Sequence, residues 1–293
     1  MFNPTQVLIE HFIKRLRANY LRVYGIREPE IPGLLAFCGR MALENIANSD
    51  ALYHDMNHTM FVTDVGQEIL YGRHIQSGGV GPLDWLDAVI ALLCHDIGYV
   101  RGLLRDDRPN HFVLDAEGHA LNPPPGATDA CLTRWHVFRS KTFVRERFAN
   151  VPRINLERIC ECIERTRFPV PDDPEYRRTD DLPGLVRSAD LIGQMADLNY
   201  LKKSAALFYE FEECGANTHL GYTSPADVRE SYPGFFWQVV RPLIHTAIYH
   251  LQVTQTGKIW IASLHAHVFA VEHRQRATDL SAPPALPVDV DMG

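Results

Sequence analysis

The segment Val89-Ile90-Ala91-Leu92-Leu93-Cys94-His95-Asp96 constrains this chain more than any other. Through Cys94 it is apolar around the whole helical wheel, so it has no face to offer water and must be packed on every side. Enclosing such a helix takes a sizeable domain, and 293 residues suffice for one. The same segment then ends on two ionisable side chains, His95 and Asp96. A carboxylate left unpaired at that depth is very costly. Metal coordination satisfies it, and so does capping a neighbouring helix.

Helical periodicity dominates the rest. Residues 5–24 carry an apolar stripe at Val7, Leu8, Phe12, Leu16, Tyr20 and Val23. Helical patterns also cover residues 50–71, 83–98, 129–149, 153–166, 182–214 and 233–252. Gly257-Lys258-Ile259-Trp260-Ile261 alone looks strand-like, and it also reads as the start of a helix. Residues 105–128, with Pro123-Pro124-Pro125-Gly126, and residues 168–181, with three prolines, read as loops. Helices on both sides of each loop carry parts of one proposed site, so neither loop reads as a linker. The expectation is a single all-α helical bundle over residues 1–279, with a disordered Pro/Asp tail over 280–293.

The net charge of −7 and the pI of about 6.0 argue against polymeric nucleic acid as a partner. They leave room for a local basic pocket that takes one phosphate, and for a homo-oligomer. The N-terminal residues do not read as a signal peptide, and no apolar run approaches a membrane span. Cysteines 38, 94, 131, 160, 162 and 214 lack Cys-x-x-Cys spacing, which suits reduced thiols in the cytoplasm.

Two further segments complete the His-Asp pair. In Tyr53-His54-Asp55-Met56-Asn57-His58 the histidines are four apart, on the face continued by Phe61, Val62 and Val65. Inward histidines suit metal binding or proton transfer, and equally a hydrogen-bonded core pair. In Leu185-Val186-Arg187-Ser188-Ala189-Asp190-Leu191-Ile192-Gly193, Asp190 falls on a stripe of small and apolar residues. Alone it reads as a metal ligand or as a buried, hydrogen-bonded aspartate. The ordered set His, His-Asp, Asp, each on an inward face, is more specific than any one of its parts.

That order resembles the HD superfamily of metal-dependent phosphohydrolases over roughly residues 50–200. Tyr53-His54 followed by His58, and Ser188-Ala189-Asp190-Leu191, resemble motifs of the class I cyclic nucleotide phosphodiesterases. The resemblance implies an HD-domain-like bundle and His54 as general acid. It also implies His58, His95, Asp96 and Asp190 as ligands, with Asp96 bridging two divalent ions drawn from Mn, Mg, Fe or Zn. Those phosphodiesterases have a third histidine where this chain has Tyr99, and Asn where it has Asp55. His136 and His119 are candidates to complete the second ion, with His136 preferred.

The implied activity is hydrolysis of a small phosphate ester, such as a cyclic nucleotide or other nucleotide phosphodiester, by metal-activated water. The rival readings are an HD-type di-iron oxygenase, favoured by a His119 and His136 pair, and a degenerate nucleotide-binding sensor. Arg139, Lys141 and Arg165 flank the site in sequence and are candidate phosphate binders, with solvated helix faces as the alternative. Residues 105–128 are expected to form a flap over the metals. Tyr232, Phe235, Phe236 and Trp237 read as core packing, with base stacking as the alternative.

Overall fold

The computed structural model describes residues 2–281, with side chains through Arg274. Most of the expected 280–293 tail lies outside the described residues.

Helix α1 (Pro4–Tyr24) opens on Asn3, whose side chain accepts from the Gln6 amide, and packs along α2 (Ile31–Ile46). Helix α3 (Met56–Ser77) is capped by Asp55 and closed by left-handed Gly78. Helix α4 (Pro82–Cys94) ends on a 3-10 turn, Ile97–Tyr99. A short antiparallel pair follows, β1 (Phe112–Val113) with β2 (Ala120–Leu121). A second 3-10 turn, Asp129–Trp135, leads into α5 (His136–Phe148). After it come α6 (Leu156–Arg165), α7 (Pro174–Arg177), α8 (Leu182–Met195) and α9 (Tyr200–Glu213). Three short helices, α10 (Ala216–Leu220), α11 (Pro225–Glu230) and α12 (Tyr232–Phe235), lead through a π turn at Phe236–Val240 into α13 (Arg241–Leu251). Helix α14 (Gln255–Ser281) follows.

The all-α expectation holds, and its departures have local causes. Residues 50–55 are not helical, because the Asp55 side chain takes the His58 amide and starts α3 one residue later. The expected helix 182–214 breaks at 196–199, where the Asp197 carboxylate accepts the Asn199 amide and competes with the helical bond. The strand-like Gly257–Ile261 is helical, behind Thr254, whose hydroxyl accepts the Gly257 amide. Helix α2 was not anticipated from the sequence.

Every residue of α4 from Trp85 to Cys94 is buried, as its composition demands, with α2, α3, α6 and α8 around it. One continuous apolar core runs from Ile9 to Val271, and a satellite forms under the β-pair at Phe112, Leu114 and Leu132. Helices α3 and α8 cross closely because residue 193 is glycine. A Cβ there would sit 2.7 Å from the Val62 Cα. That crossing sets the spacing between His58 on α3 and Asp190 on α8.

The loop over residues 105–128 is fastened from beneath by Arg139. This side chain is 0% exposed and pairs with Asp107 at 2.8 Å. It also donates to the carbonyls of Gly98, Val100 and Val113. All of these partners are internal, so Arg139 is a structural cation, a correction to its expected phosphate-binding role. Arg139→Met should lower stability by about 3–5 kcal/mol, because Asp107 would be left buried and unpaired. Urea denaturation followed by circular dichroism measures this, and an unchanged midpoint would contradict it.

Candidate metal centre

Four side chains from three elements meet at the end of α4. The His95 ring is oriented by its Nδ1, 2.8 Å from the Leu92 carbonyl, which leaves Nε2 for the site. His95 Nε2 lies 3.0 Å from Asp96 Oδ2 and 3.4 Å from Asp190 Oδ1. His58 Nε2 lies 3.2 Å and 3.5 Å from the same two oxygens. His58, His95 and Asp190 are close enough together to hold one ion. His95 Nε2 and Asp96 Oδ2 are fully buried, and despite their 3.0 Å separation neither makes a hydrogen bond of proper geometry. Orphaned buried atoms of this kind are rare in proteins. Two imidazoles and two carboxylates around them form a donor set suited to Mn, Mg, Fe or Zn.

Electrostatics point the same way. Burial pushes the His95 imidazole down, but the carboxylates of Asp96 and Asp190 outweigh it and hold its pKa well above the ordinary range. Asp96 is held well below the usual carboxylate range, because the neighbouring imidazoles outweigh its burial. The two carboxylates demand positive charge at this point, and protons or a metal cation can supply it.

The other oxygen of Asp96, Oδ1, faces His136 Nε2 at 3.7 Å. The His136 ring is set by its Nδ1, 2.5 Å from the Thr133 carbonyl. Asp96 therefore presents one oxygen to the four-residue cluster and the other to His136, which suits a bridging carboxylate. Gly98 allows this approach. A Cβ there would collide with the His136 carbonyl, and Ser140 clamps the turn by accepting from the Gly98 amide and donating to the His95 carbonyl. His119 is elsewhere, with its side chain 73% exposed and paired with Asp115.

His54 precedes the Asp55 cap and so is not one helical turn below His58, as its spacing suggested. Its Nδ1 is 2.5 Å from Glu210 Oε2 on α9, and Glu210 Oε1 also accepts the Tyr53 amide. Burial opposes protonation of His54, but Glu210, with help from Asp96 and Asp190, raises its pKa to about 9. The Tyr99 ring stacks between His54 at 4.6 Å and His136 at 4.7 Å. It stands where a third histidine was absent from the motif and fixes both rings in place.

A cavity of about 1100 Å³, counting its open mouth, meets this cluster. Asp96, Asp190, His54 and His136 line its polar end, and Leu191, Leu207, Phe211 and Phe235 line much of the remainder. No residue of 105–128 lines it, so the expected flap is corrected. Thr166, Arg167 and Phe168, with several residues between 220 and 235, line it instead. Tyr232 and Phe235 face the cavity, Phe236 is buried and Trp237 is partly exposed.

Lys141 pairs with Glu164, and Arg165 pairs with Asp181 at 3.3 Å. Neither lines the cavity, so these two expected phosphate contacts are not brought to the site. Arg167 and Arg187 line it instead. Sequence reasoning missed Glu210, Arg187 and Tyr99. For the first two a signal existed, a charge set among inward-facing apolar neighbours: Glu210 beside Leu207 and Phe211, and Arg187 beside Val186 and Ala189.

Among the described residues no helix is long and apolar enough to cross a membrane. No curated protein matches the chain. A family match extends over residues 2–274, and by it the chain belongs to the Npun_R2479-like family.

Proposed function

We propose that this protein is a metal-dependent phosphohydrolase of the HD type, acting on a small phosphate ester or nucleotide. One observation carries the reading. His95 Nε2 and Asp96 Oδ2 are buried 3.0 Å apart with no well-formed hydrogen bond to either, at the point where His58 and Asp190 also converge. His58, His95, Asp96 and Asp190 would hold one divalent ion, and Asp96 with His136 a second. When bound, such ions supply Lewis acidity, which acidifies water and neutralises charge on phosphoryl oxygens.

The chain's own residues supply the proton. Glu210 occupies Nδ1 of His54 and keeps the ring protonated up to about pH 9, so its Nε2–H is available in the cavity at neutral pH. Tyr99, stacked on the ring, restricts its rotation. The apolar remainder of the cavity suits an organic leaving group and keeps bulk water away from it. A di-iron oxygenase is less well supported, because His119, the extra ligand it called for, pairs with Asp115 at the surface. A cytoplasmic location fits six free cysteines.

His95→Ala and Asp96→Ala should each lose bound metal and hydrolysis together, checked by elemental analysis and a phosphate-ester screen with several divalent ions. Stoichiometric metal in both variants would sink the assignment. His54→Ala should keep its metal and slow turnover about a hundredfold, and less for a nitrophenolate leaving group, which needs little protonation. Equal slowing for both leaving-group classes would remove His54 from the proton-donor role.

The His54–Glu210 pair also sets a pH dependence. The His54 pKa is raised from 6.5 to about 9 on folding. The pair's stability contribution is therefore fully present between the ordinary carboxylate range and pH 6.5, is lost as pH rises through about 9, and is lost at acid pH once Glu210 protonates. In Glu210→Gln the His54 imidazole should titrate well below its wild-type value, as read by NMR. An unshifted titration would show that Glu210 does not hold the proton.

A further inference from the structure

Arg187 is a buried cation with no counter-ion. It lies on α8 one turn before Asp190, and its side chain lines the same cavity. The residue is 1% exposed. Its Nη1 donates to the Tyr176 carbonyl and its Nη2 to the Arg178 carbonyl at 2.9 Å. Its Nε is buried with no partner. Among the described residues no carboxylate stands within ion-pair distance of it. Asp190, three residues on, stands against His58 and His95, and Asp181, the acid whose charge acts on Arg187, is already committed. One oxygen caps α8 at the Gly184 amide, and the other is shared by Arg165 and Arg178 at 3.3 Å and 3.5 Å. Arg167, beside it on the cavity wall, is paired with Glu164.

Burying a charge without a partner costs several kcal/mol, and proteins keep such a group only where something compensates it. Burial and the nearby Arg165 push even this guanidinium down to about 10. The carbonyls fix the fork in place but bring no negative charge. The Nε–H of Arg187 remains to be met, and a planar guanidinium matches a carboxylate or a phosphate.

We propose that Arg187 receives a second anionic group of the substrate, an oxyanion of carboxylate or phosphate type, distinct from the ester cleaved at the His-Asp centre. The inference rests on the hydrolase reading for the identity of the ligand as a substrate. Residues three apart on a helix have Cβ atoms about 5–6 Å apart, so one molecule can engage Asp190's neighbourhood and Arg187 together. Leu191 and Phe235 line the same cavity and suit an apolar body joining the two groups. The substrate class is then a phosphate ester bearing a further acidic group on an apolar frame.

The test is calorimetric titration of the full-length protein with inorganic phosphate and, separately, with benzoate. Wild type, His95→Ala, Arg187→Gln and Arg187→Lys are compared, with circular dichroism to confirm folding. At least one probe should bind wild type and bind His95→Ala about as well, because the subsite does not use the metal ligands. Arg187→Gln should weaken that binding at least tenfold. Arg187→Lys should recover part of it, since it keeps the charge but loses the fork, and it decides the matter if Arg187→Gln does not fold. A preference for phosphate or for benzoate identifies which oxyanion the site takes. Binding unchanged in both Arg187 variants, or no binding of either probe to wild type, overturns the proposal. Loss of binding in His95→Ala with full retention in Arg187→Gln would assign the anion to the His-Asp centre and also overturn it. Absence of metal or hydrolysis in wild type, with Arg187-dependent binding intact, would instead remove the hydrolase reading and leave the anion site standing.

Discussion

Asp96, buried, and Asp190, with its side chain 16% exposed, stand against the same two imidazoles, His58 and His95, at separations of 3.0–3.5 Å. Two carboxylates at this depth repel each other and lose their hydration, so the fold tolerates them only around shared positive charge. The surrounding architecture follows from that demand. Helix α4 carries His95 to the centre and is sheathed by α2, α3, α6 and α8. The close α3–α8 crossing at Gly193 brings His58 and Asp190 together. Ser140 and Gly98 lock the turn that aims both oxygens of Asp96.

Three of the four imidazoles at the site are held by a further group. Leu92 and Thr133 carbonyls set His95 and His136, Glu210 sets His54, and Tyr99 lies stacked between two of the three. Such outer partners fix tautomer and orientation, so the site is pre-formed and pays little to organise itself around a ligand. Arg139 serves the scaffold in the same way. It resembles a phosphate binder in sequence, and its five donors are spent on Asp107 and three carbonyls.

Charge is divided unevenly along the cavity. Asp96 and Asp190 line it, and so does the Arg187 guanidinium, one helical turn from Asp190 on α8. A buried polar group left unmatched costs more than a matched one returns, so the two signs of charge in this lining each call for a partner.

The sequence by itself determined the helical class, the central burial of α4 and the inward placement of His58, His95, Asp96 and Asp190. Each follows from local periodicity and from the cost of burying charge, which a single segment already displays. His136 was legible as a nearby imidazole, but its facing of Asp96 depended on Gly98 meeting α5. Glu210 is 156 residues from His54 in the chain, so only the packing of α9 against the start of α3 could pair them. The fates of Arg139, Lys141 and Arg165 were likewise decided by tertiary structure. An arginine that binds substrate and one that pins a loop look alike in sequence, and they differ only in whether an internal carboxylate reaches them first. Among the described residues no carboxylate reaches Arg187 within ion-pair distance.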